Sequence, residues 1–260
     1  MSERSFEVSK ETLCACLRDR APGITAYVYD CIDSTNSEAK RMAMQQGCDT
    51  PVLIAARAQS GGRGRMGRSF YSPSGTGAYF SILYRPTASV DAAVTVTCAA
   101  SVAVLRAIRT LTGRTCGIKW VNDLYLDGKK VCGILTECQT DGASSFIIVG
   151  IGINVTTSFE ETELSQIAGA IGKEPISVSE LIAEVARELL PMLESPHARE
   201  WIADYRRHSL VIGRRVAFLQ NGEAREGTAL SIDDDGALSV RLDSGEVVHL
   251  FSGEISLKMQ

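Results

Sequence analysis

Residues 92–111 (AAVTVTCAASVAVLRAIRTL) are apolar almost all the way round a helical wheel. A helix without a polar face has to be enclosed by other elements or cross a membrane. Thr95, Thr97, Ser101 and Arg106 interrupt this run, and no apolar stretch reaches the roughly 18 residues of a membrane span. The chain therefore needs a core deep enough to surround one helix. Its 260 residues suffice, since a chain of this size buries about three quarters of its unfolded surface and needs no disulfides.

The remaining pattern says what encloses it. A short helix is expected at Lys10–Arg18, stopped by Ala21-Pro-Gly. Ala26-Tyr-Val-Tyr begins a strand. Asp33-Ser-Thr-Asn supplies an N-cap cluster for a helix over Ser37–Gln46, closed by Gly47. Pro51–Ala58 and Ala78–Arg85 read as strands on either side of a long glycine-rich loop. Further strands are expected at Gly117–Val121, Leu124–Leu126, Val131–Cys138 and Phe146–Val155, with Asp127-Gly and Asp141-Gly turns between them. Helices return at Val178–Leu193 and Ala198–His208. After Leu210 come short alternating runs, Arg215–Leu219, Glu226–Ile232, Leu238–Leu242 and Val247–Phe251, separated by Asn221-Gly, Asp235-Gly and Ser244-Gly. Four or five short strands so closely spaced predict a small β-barrel. We expect a short N-terminal segment over residues 1–24, an α+β domain over 25–209 and a small barrel over 210–260.

Composition narrows the function. The net charge of −4, from 27 basic and 31 acidic residues, disfavours a protein whose main partner is a polyanion. The N-terminus, Met-Ser-Glu-Arg-Ser-Phe-Glu-Val, lacks the apolar run of a signal peptide. Cys14, Cys16, Cys31, Cys48, Cys98, Cys116, Cys132 and Cys138 are irregularly spaced without a C-x-x-C pair, which fits reduced thiols in the cytoplasm. His197, His208 and His249 show no metal-ligand spacing, so no zinc is expected.

Three segments carry chemistry. Gln59-Ser-Gly-Gly-Arg-Gly-Arg-Met-Gly-Arg contains Gly62-x-Gly64-x-x-Gly67, a formal dinucleotide fingerprint. That fingerprint should lead straight into a helix, and here another strand follows. What remains is a loop with Arg63, Arg65 and Arg68 and no acid, suited to wrapping a carboxylate or phosphate. In Lys119-Trp-Val-Asn-Asp and the following Asp-Gly-Lys-Lys, the pair Asn122 and Asp123 suits a hydrated Mg²⁺ accompanying phosphates. A nearby lysine could neutralise developing charge, although an exposed hairpin with ordinary charges reads the same way. In Val149-Gly-Ile-Gly-Ile-Asn-Val, glycines inside an apolar strand mark either a close ligand approach or a bulge or packing contact. No Ser/His/Asp or Cys/His spacing suggests a covalent nucleophile.

Together these segments resemble the biotin protein ligases. The resemblance runs from Asp33-Ser-Thr-Asn through Gln59–Arg68, Lys119–Leu135 and Gly150–Asn154 to Ser252-Gly-Glu-Ile-Ser-Leu. It implies a mixed sheet with helices packed on it, of the class II synthetase-like kind, followed by an SH3-like barrel. It also implies an ATP-dependent ligase that activates biotin as biotinyl-5′-AMP, releases pyrophosphate, and biotinylates a lysine of a biotin carboxyl carrier protein. By position, Ser34, Thr35, Asn36, Gln59, Gly62, Arg63, Gly64, Arg65, Lys130 and Gly133 would hold biotin. Arg63, Arg65, Arg68, Phe70, Lys119, Asn122, Asp123, Gly150, Gly152 and Asn154 would hold ATP and the adenylate. Lys130, Arg65 and Asp123 would be catalytic, with Mg²⁺ near Asp123, Arg65 retaining the intermediate, and the glycines at 133, 150 and 152 admitting ligand.

Biotin and MgATP are thus the implied substrates, with no prosthetic group. Met66, Phe70 and Val121 stand where the family often has arginine, tryptophan and proline. Some members carry an N-terminal winged helix-turn-helix. About one helix precedes the first strand here, so no sequence-specific DNA binding is expected, and no membrane partner either. A homodimer through a sheet edge is compatible with the resemblance. A lipoate or other acyl ligase on the same fold and a non-catalytic biotin-responsive regulator are the competing readings.

Overall fold

A computed structural model describes residues 7–45, 51–86, 93–141, 144–172, 176–195, 198–220 and 222–257. The expected Gly47 stop, Cys48, His197 and the turn residues 142 and 221 lie outside them. The described elements run α1 (Lys10–Arg20), β1 (Thr25–Ile32), α2 (Thr35–Ala43), β2 (Val52–Gln59), β3 (Gly77–Tyr84), α3 (Ala93–Thr112), β4 (Gly117–Lys119), β5 (Asp123–Leu126), β6 (Lys129–Asp141) and β7 (Ser144–Asn154). They continue with α4 (Val178–Glu194), α5 (Ile202–Arg207), β8 (Arg215–Gln220), β9 (Glu223–Ile232), β10 (Leu238–Leu242), β11 (Val247–Leu250) and β12 (Ile255–Leu257).

Seven strands form one mixed sheet, ordered β1-β2-β3-β7-β6-β5-β4. Only β1 and β2 pair in parallel, joined by α2 as a crossover; every other neighbour is antiparallel. The order leaves β1 and β4 at the two edges of the sheet. α3 lies against the sheet with α4 beside it. Val102, Val104, Leu105 and Ile108 are fully buried in the same core as Ile134, Val149 and Ile151. The helix that is apolar all round is therefore wrapped, as its composition demanded, and 78% of its most apolar window is inside the molecule. On the opposite face α2 packs Ala39 and Ala43 against Ile54, Leu83 and Ile148. α1 buries Leu13 and Leu17 and adds to the α3/α4 layer.

The five C-terminal strands form a second sheet, β11-β10-β9-β8-β12, whose two outer strands do not pair with each other. The sheet is not closed into a ring, and it is consistent with the expected SH3-like fold. The sheet docks on the first instead. Its β9–β10 turn accepts hydrogen bonds from Trp120 Nε1 at Gly236 O (2.9 Å) and from Thr95 Oγ1 at Asp235 O (2.6 Å). Gly236 has φ +88°, and a Cβ there would lie 2.9 Å from Cys98 Sγ, so only glycine fits this turn against α3.

Other differences are local. The expected strand over 117–121 ends at Lys119, because Trp120 and Val121 turn inward to be buried. The last helix of the first unit is confined to Ile202–Arg207, shorter than the expected Ala198–His208.

Candidate active site

The sheet register builds the site. Tyr79, Gly152, Gly133, Asp123 and Lys119 are directly paired across β3, β7, β6, β5 and β4. Paired residues share a sheet face, so two adjacent glycines leave a trough between an aromatic wall and two charged groups. Phe70 lies across that trough: a Cβ on Gly152 would be 2.5 Å from its ring, and one on Gly133 3.2 Å. Its ring also meets Tyr79 edge-on at 6.4 Å. The neighbouring row is Ser81, Gly150 and Leu135. A Cβ on Gly150 would sit 2.0 Å from Asn36 Oδ1. The protein groups nearest these three glycines are Phe70, Lys130 and Asn36, which line the same cleft. Gly150→Ala is expected to displace Asn36 and cost about 1–3 kcal/mol of stability. Urea unfolding checks this, and an unchanged midpoint would show that Asn36 is not seated against Gly150.

The start of α2 closes one end of the trough. Ser34 occupies its N-cap position, but its side chain makes no capping bond; the Thr35 N–H donates to Gln59 Oε1 (2.9 Å) instead. Helix formation therefore begins two residues earlier than Ser37, supported from β2. Ser34, Thr35 and Asn36 are all buried. Ser81 Oγ lies 2.8 Å from Thr35 Oγ1 and 2.6 Å from Asn36 Oδ1, and Gln59 Nε2 donates to Ser72 Oγ (2.9 Å). This chain of buried, mutually satisfied polar groups holds a fixed hydrogen-bonding surface at one end of the cleft.

The glycine–arginine loop forms the lip. Arg63 makes a bidentate pair with Glu137, both contacts at 3.0 Å. Arg65 Nη1 donates to Asn122 Oδ1 (3.1 Å) and Nη2 to Gly253 O (2.8 Å). Arg68 pairs with Glu254 (2.7 Å), which holds that carboxyl below the usual glutamate value against the opposing effect of burial. At the far side Lys130 Nζ lies 2.7 Å from Asp123 Oδ1, and Lys119 adds positive charge near Glu254. Met66 takes the left-handed backbone (φ 54°) at the loop tip and is exposed. Among the expected residues, Ser34, Thr35, Asn36, Gln59, Arg63, Gly64, Arg65, Arg68, Phe70, Lys119, Asn122, Asp123, Lys130, Gly133, Gly150 and Gly152 line one cleft.

Two expected site residues do not line it. Gly62 faces the loop's own backbone, where a Cβ would lie 2.3 Å from Phe70 O. Asn154, at the end of β7 and on the same strand face as Gly150 and Gly152, is buried; it donates through Nδ2 to Gly169 O (3.0 Å) and leaves Oδ1 without a hydrogen-bond partner among the described residues. Conversely, the sequence pattern did not single out Glu137, Ser81, Glu254 and Trp120. Glu137 follows Gly133 and Leu135 at the two-residue period of β6, so strand alternation places it on the cleft face. It accepts from Lys40 Nζ (2.7 Å) and Asn36 Nδ2 (2.9 Å) as well as from Arg63. Burial raises its carboxyl, but the Lys40 and Asn36 hydrogen bonds and the Arg63 charge outweigh this and leave it below the ordinary 4.5.

A carboxylate held below its unfolded value contributes stability that is present above that value and is lost as pH falls through the folded one. The stability gap between the wild type and Glu137→Gln is therefore expected to be constant above about pH 5.5 and to close below about pH 4.5. Urea titrations across that range read it; a gap independent of pH would show that the charge of Glu137 contributes nothing.

A cleft with a fixed polar end, an aromatic crosspiece and cations on two sides is suited to binding anionic ligands. The sequence pattern of the Biotin/lipoate A/B protein ligase family matches residues 28–154, and that of the Biotin protein ligase C terminal domain matches 211–258. The biotin--[acetyl-CoA-carboxylase] ligase of Paracoccus denitrificans is 33% identical, over 83% of this chain and 94% of the relative. The enzyme of the same description from Mycobacterium tuberculosis is 32% identical, over 84% and 86%. Among solved structures, a biotin protein ligase from Aquifex aeolicus in complex with biotin and ATP superimposes with a TM-score of 0.78 at 25% identity, covering 91% of this chain and 99% of that one. The chain belongs to the biotin protein ligase family and is a ligase.

Proposed function

We propose that this chain activates biotin with MgATP and transfers it to a lysine of a biotin carboxyl carrier protein such as that of acetyl-CoA carboxylase. The observation that carries the reading is the placement of Arg63, Arg65 and Lys130 round one trough whose closed end is the Thr35–Asn36–Gln59–Ser81 network. The biotin carboxylate oxygen attacks the α-phosphorus of ATP and pyrophosphate leaves. The acceptor amine then attacks the acyl carbon of biotinyl-5′-AMP, and AMP leaves. Both partners in the first step are anions, so charge neutralisation and positioning do the work and no enzyme nucleophile is needed. In this reading Arg63 and Arg65 bind the carboxylate and then the adenylate phosphate. Lys130 neutralises the α-phosphate, and Phe70 and Lys119 flank the nucleotide.

Magnesium arrives with the nucleotide. It is usually held by one or two carboxylates plus phosphates and keeps several waters, and Asp123 supplies one such carboxylate beside Lys130. Asn122, expected as a second ligand, is already engaged by Arg65 and by Ile134 O. Among the described residues no His/Cys/Asp/Glu group is built to hold a resident metal ion.

Residues 25–209 would form the catalytic unit and 210–260 the accessory sheet. The seven described cysteines are all unpaired, which supports a reducing compartment, the cytoplasm. The packing of α1 into the core supports a ligase that does not bind DNA through it. ATP–pyrophosphate exchange tests the reading, with biotin, lipoate and octanoate offered separately. Biotin-dependent exchange is expected. Exchange with lipoate alone would make the chain a lipoate ligase on the same fold, and no exchange with any acid would point to a binding or regulatory role.

A further inference from the structure

Glu137 gathers donors from the lip and from α2 onto one carboxylate. Across the ladder its partner on β7 is Ile148, which faces Leu83 on β3, and both are buried in the apolar layer under α2. A carboxylate set in such a row, with its side chain only 16% exposed, has to be paired. Oε1 accepts from Lys40 Nζ (2.7 Å) and Arg63 Nη2 (3.0 Å), and Oε2 from Asn36 Nδ2 (2.9 Å) and Arg63 Nη1 (3.0 Å). Asn36 and Lys40 stand one turn apart on α2, so one face of that helix supplies both. A carboxylate has about four acceptor sites, and here the protein takes them all.

Asn36 belongs to the closed polar end and Arg63 to the lip, and both line the cleft. Because a carboxylate only accepts, Glu137 fixes Asn36 with Nδ2 towards itself and Oδ1 towards Ser81 Oγ (2.6 Å). The single Ser81 proton is then committed to Asn36, so Thr35 Oγ1, 2.8 Å away, donates to Ser81. The donor directions of the polar end are thus set from Glu137. On the other side, the bidentate pair holds the Arg63 fork in one plane. Arg63 opens the turn that the Gly64 N–H closes on Arg68 O (2.7 Å), and it bridges to Ser69.

We infer that Glu137 is a positioning residue for the biotin end of the cleft: one carboxylate orients the Asn36 amide and seats Arg63 of the lip, without itself touching the ligand. This rests on the proposal that the cleft takes biotin. Glutamine at this position offers one oxygen and one NH2, and whichever way it lies a donor faces two donors.

The test uses the full chain with Glu137→Gln, Arg63→Lys and Lys40→Gln. Equilibrium dialysis with radiolabelled biotin, without ATP, is expected to show the Kd of Glu137→Gln raised about tenfold or more, the order of one lost hydrogen bond to a charged group. In ATP–pyrophosphate exchange the KM for biotin should rise in step, with kcat and the KM for ATP within about twofold, the pattern of lost uniform binding. A general loosening of the enzyme would lower kcat instead. Arg63→Lys keeps the charge without the fork and should also weaken biotin binding. The double variant should bind no more weakly than Glu137→Gln alone, because the two changes break one contact. Lys40→Gln should stay within about twofold of the wild type, since a half-exposed ion pair contributes little and the Arg63 and Asn36 bonds remain. Amide hydrogen exchange should show lost protection at Gly64, Arg68 and Phe70 in Glu137→Gln.

Tighter biotin binding by Glu137→Gln would mean that the carboxylate competes with the ligand for Arg63, and an unchanged Kd that it positions nothing; either overturns the inference. A loss confined to kcat, a raised KM for ATP, additive losses in the double variant, or an equal loss in Lys40→Gln would overturn it too. If the wild type bound no biotin, the functional proposal would fail separately. Amide protection would then still decide the placement, falling in Glu137→Gln if the carboxylate seats the lip and holding if it does not.

Discussion

Lys130→Ala is expected to slow biotin-dependent pyrophosphate exchange by at least ~100-fold, the order lost when a group stabilising transition-state charge is removed from a closed site. The reason is geometric. Its ammonium lies 2.7 Å from Asp123 and 3.3 Å from the Cβ position of Gly133, so it stands at the glycine trough between the sheet and the cations of the lip. A carboxylate approaching a triphosphate there meets like charge, which Lys130, with Lys119 on the neighbouring strand, is placed to offset. Lys130→Arg should recover only part of the rate, because a planar fork cannot occupy the space of a compact ammonium beside the Phe70 ring. The fold should survive, as the Lys130 side chain is only partly buried, although its loss leaves the buried Asp123 Oδ1 without its ion-pair partner. Circular dichroism and the urea midpoint check that. Near-wild-type exchange by a folded Lys130→Ala would sink the assignment.

The parts of this site legible in the sequence are those written locally. The all-round apolar α3 required layers on its surroundings, and the sheet with α4 and α5 supplies them. The Gly62–Arg68 stretch, with three arginines and no acid, points to anion binding by composition alone, and it forms the lip of the cleft. Lys119, Asp123 and Lys130 lie on adjacent strands whose turn signals, such as Asp127-Gly, fix their proximity.

What was not legible depends on register and on distant pairings. The acids that engage Arg63 and Arg68 are 74 and 186 residues away, so a loop read as free of acids is in fact paired at every arginine or tied to a carbonyl. Gly150 and Gly152 read as room beside a ligand; that Asn36 of α2 and the Phe70 ring also stand against them in the cleft depends on distant packing. Asn154 is a further case: its Nδ2 is taken by the Gly169 carbonyl, fifteen residues on, while its Oδ1 has no partner among the described residues. The C-terminal sheet has the same origin: alternation counts its strands but does not say whether the outer two pair with each other.

Arg65→Gly is expected to uncouple activation from delivery. Arg65 ties the lip to two distant elements at once, donating to Asn122 on the β4–β5 connection and to the Gly253 carbonyl just before β12. Hydrogen bonds from a charged donor are worth about 1.5–3 kcal/mol each, so losing both lowers the closed population of the lip by about tenfold or more. Glycine also adds backbone freedom to a loop already rich in it. A mixed anhydride made behind an open lip escapes into solution, where it acylates any exposed lysine amine. The variant should therefore still form biotinyl-5′-AMP, because Lys130 and Arg63 remain, yet label bystander proteins such as serum albumin in a mixed reaction. Asn122→Ala removes only one of the two ties and should leak less. Adding Lys130→Ala to Arg65→Gly should abolish bystander labelling, because the intermediate is then not made. Streptavidin blots of reactions containing both carrier and bystander read all three variants. If Arg65→Gly confines its label to the carrier, the lip does not retain the intermediate, and its ties to Asn122 and Gly253 hold the two sheets together without guarding the chemistry.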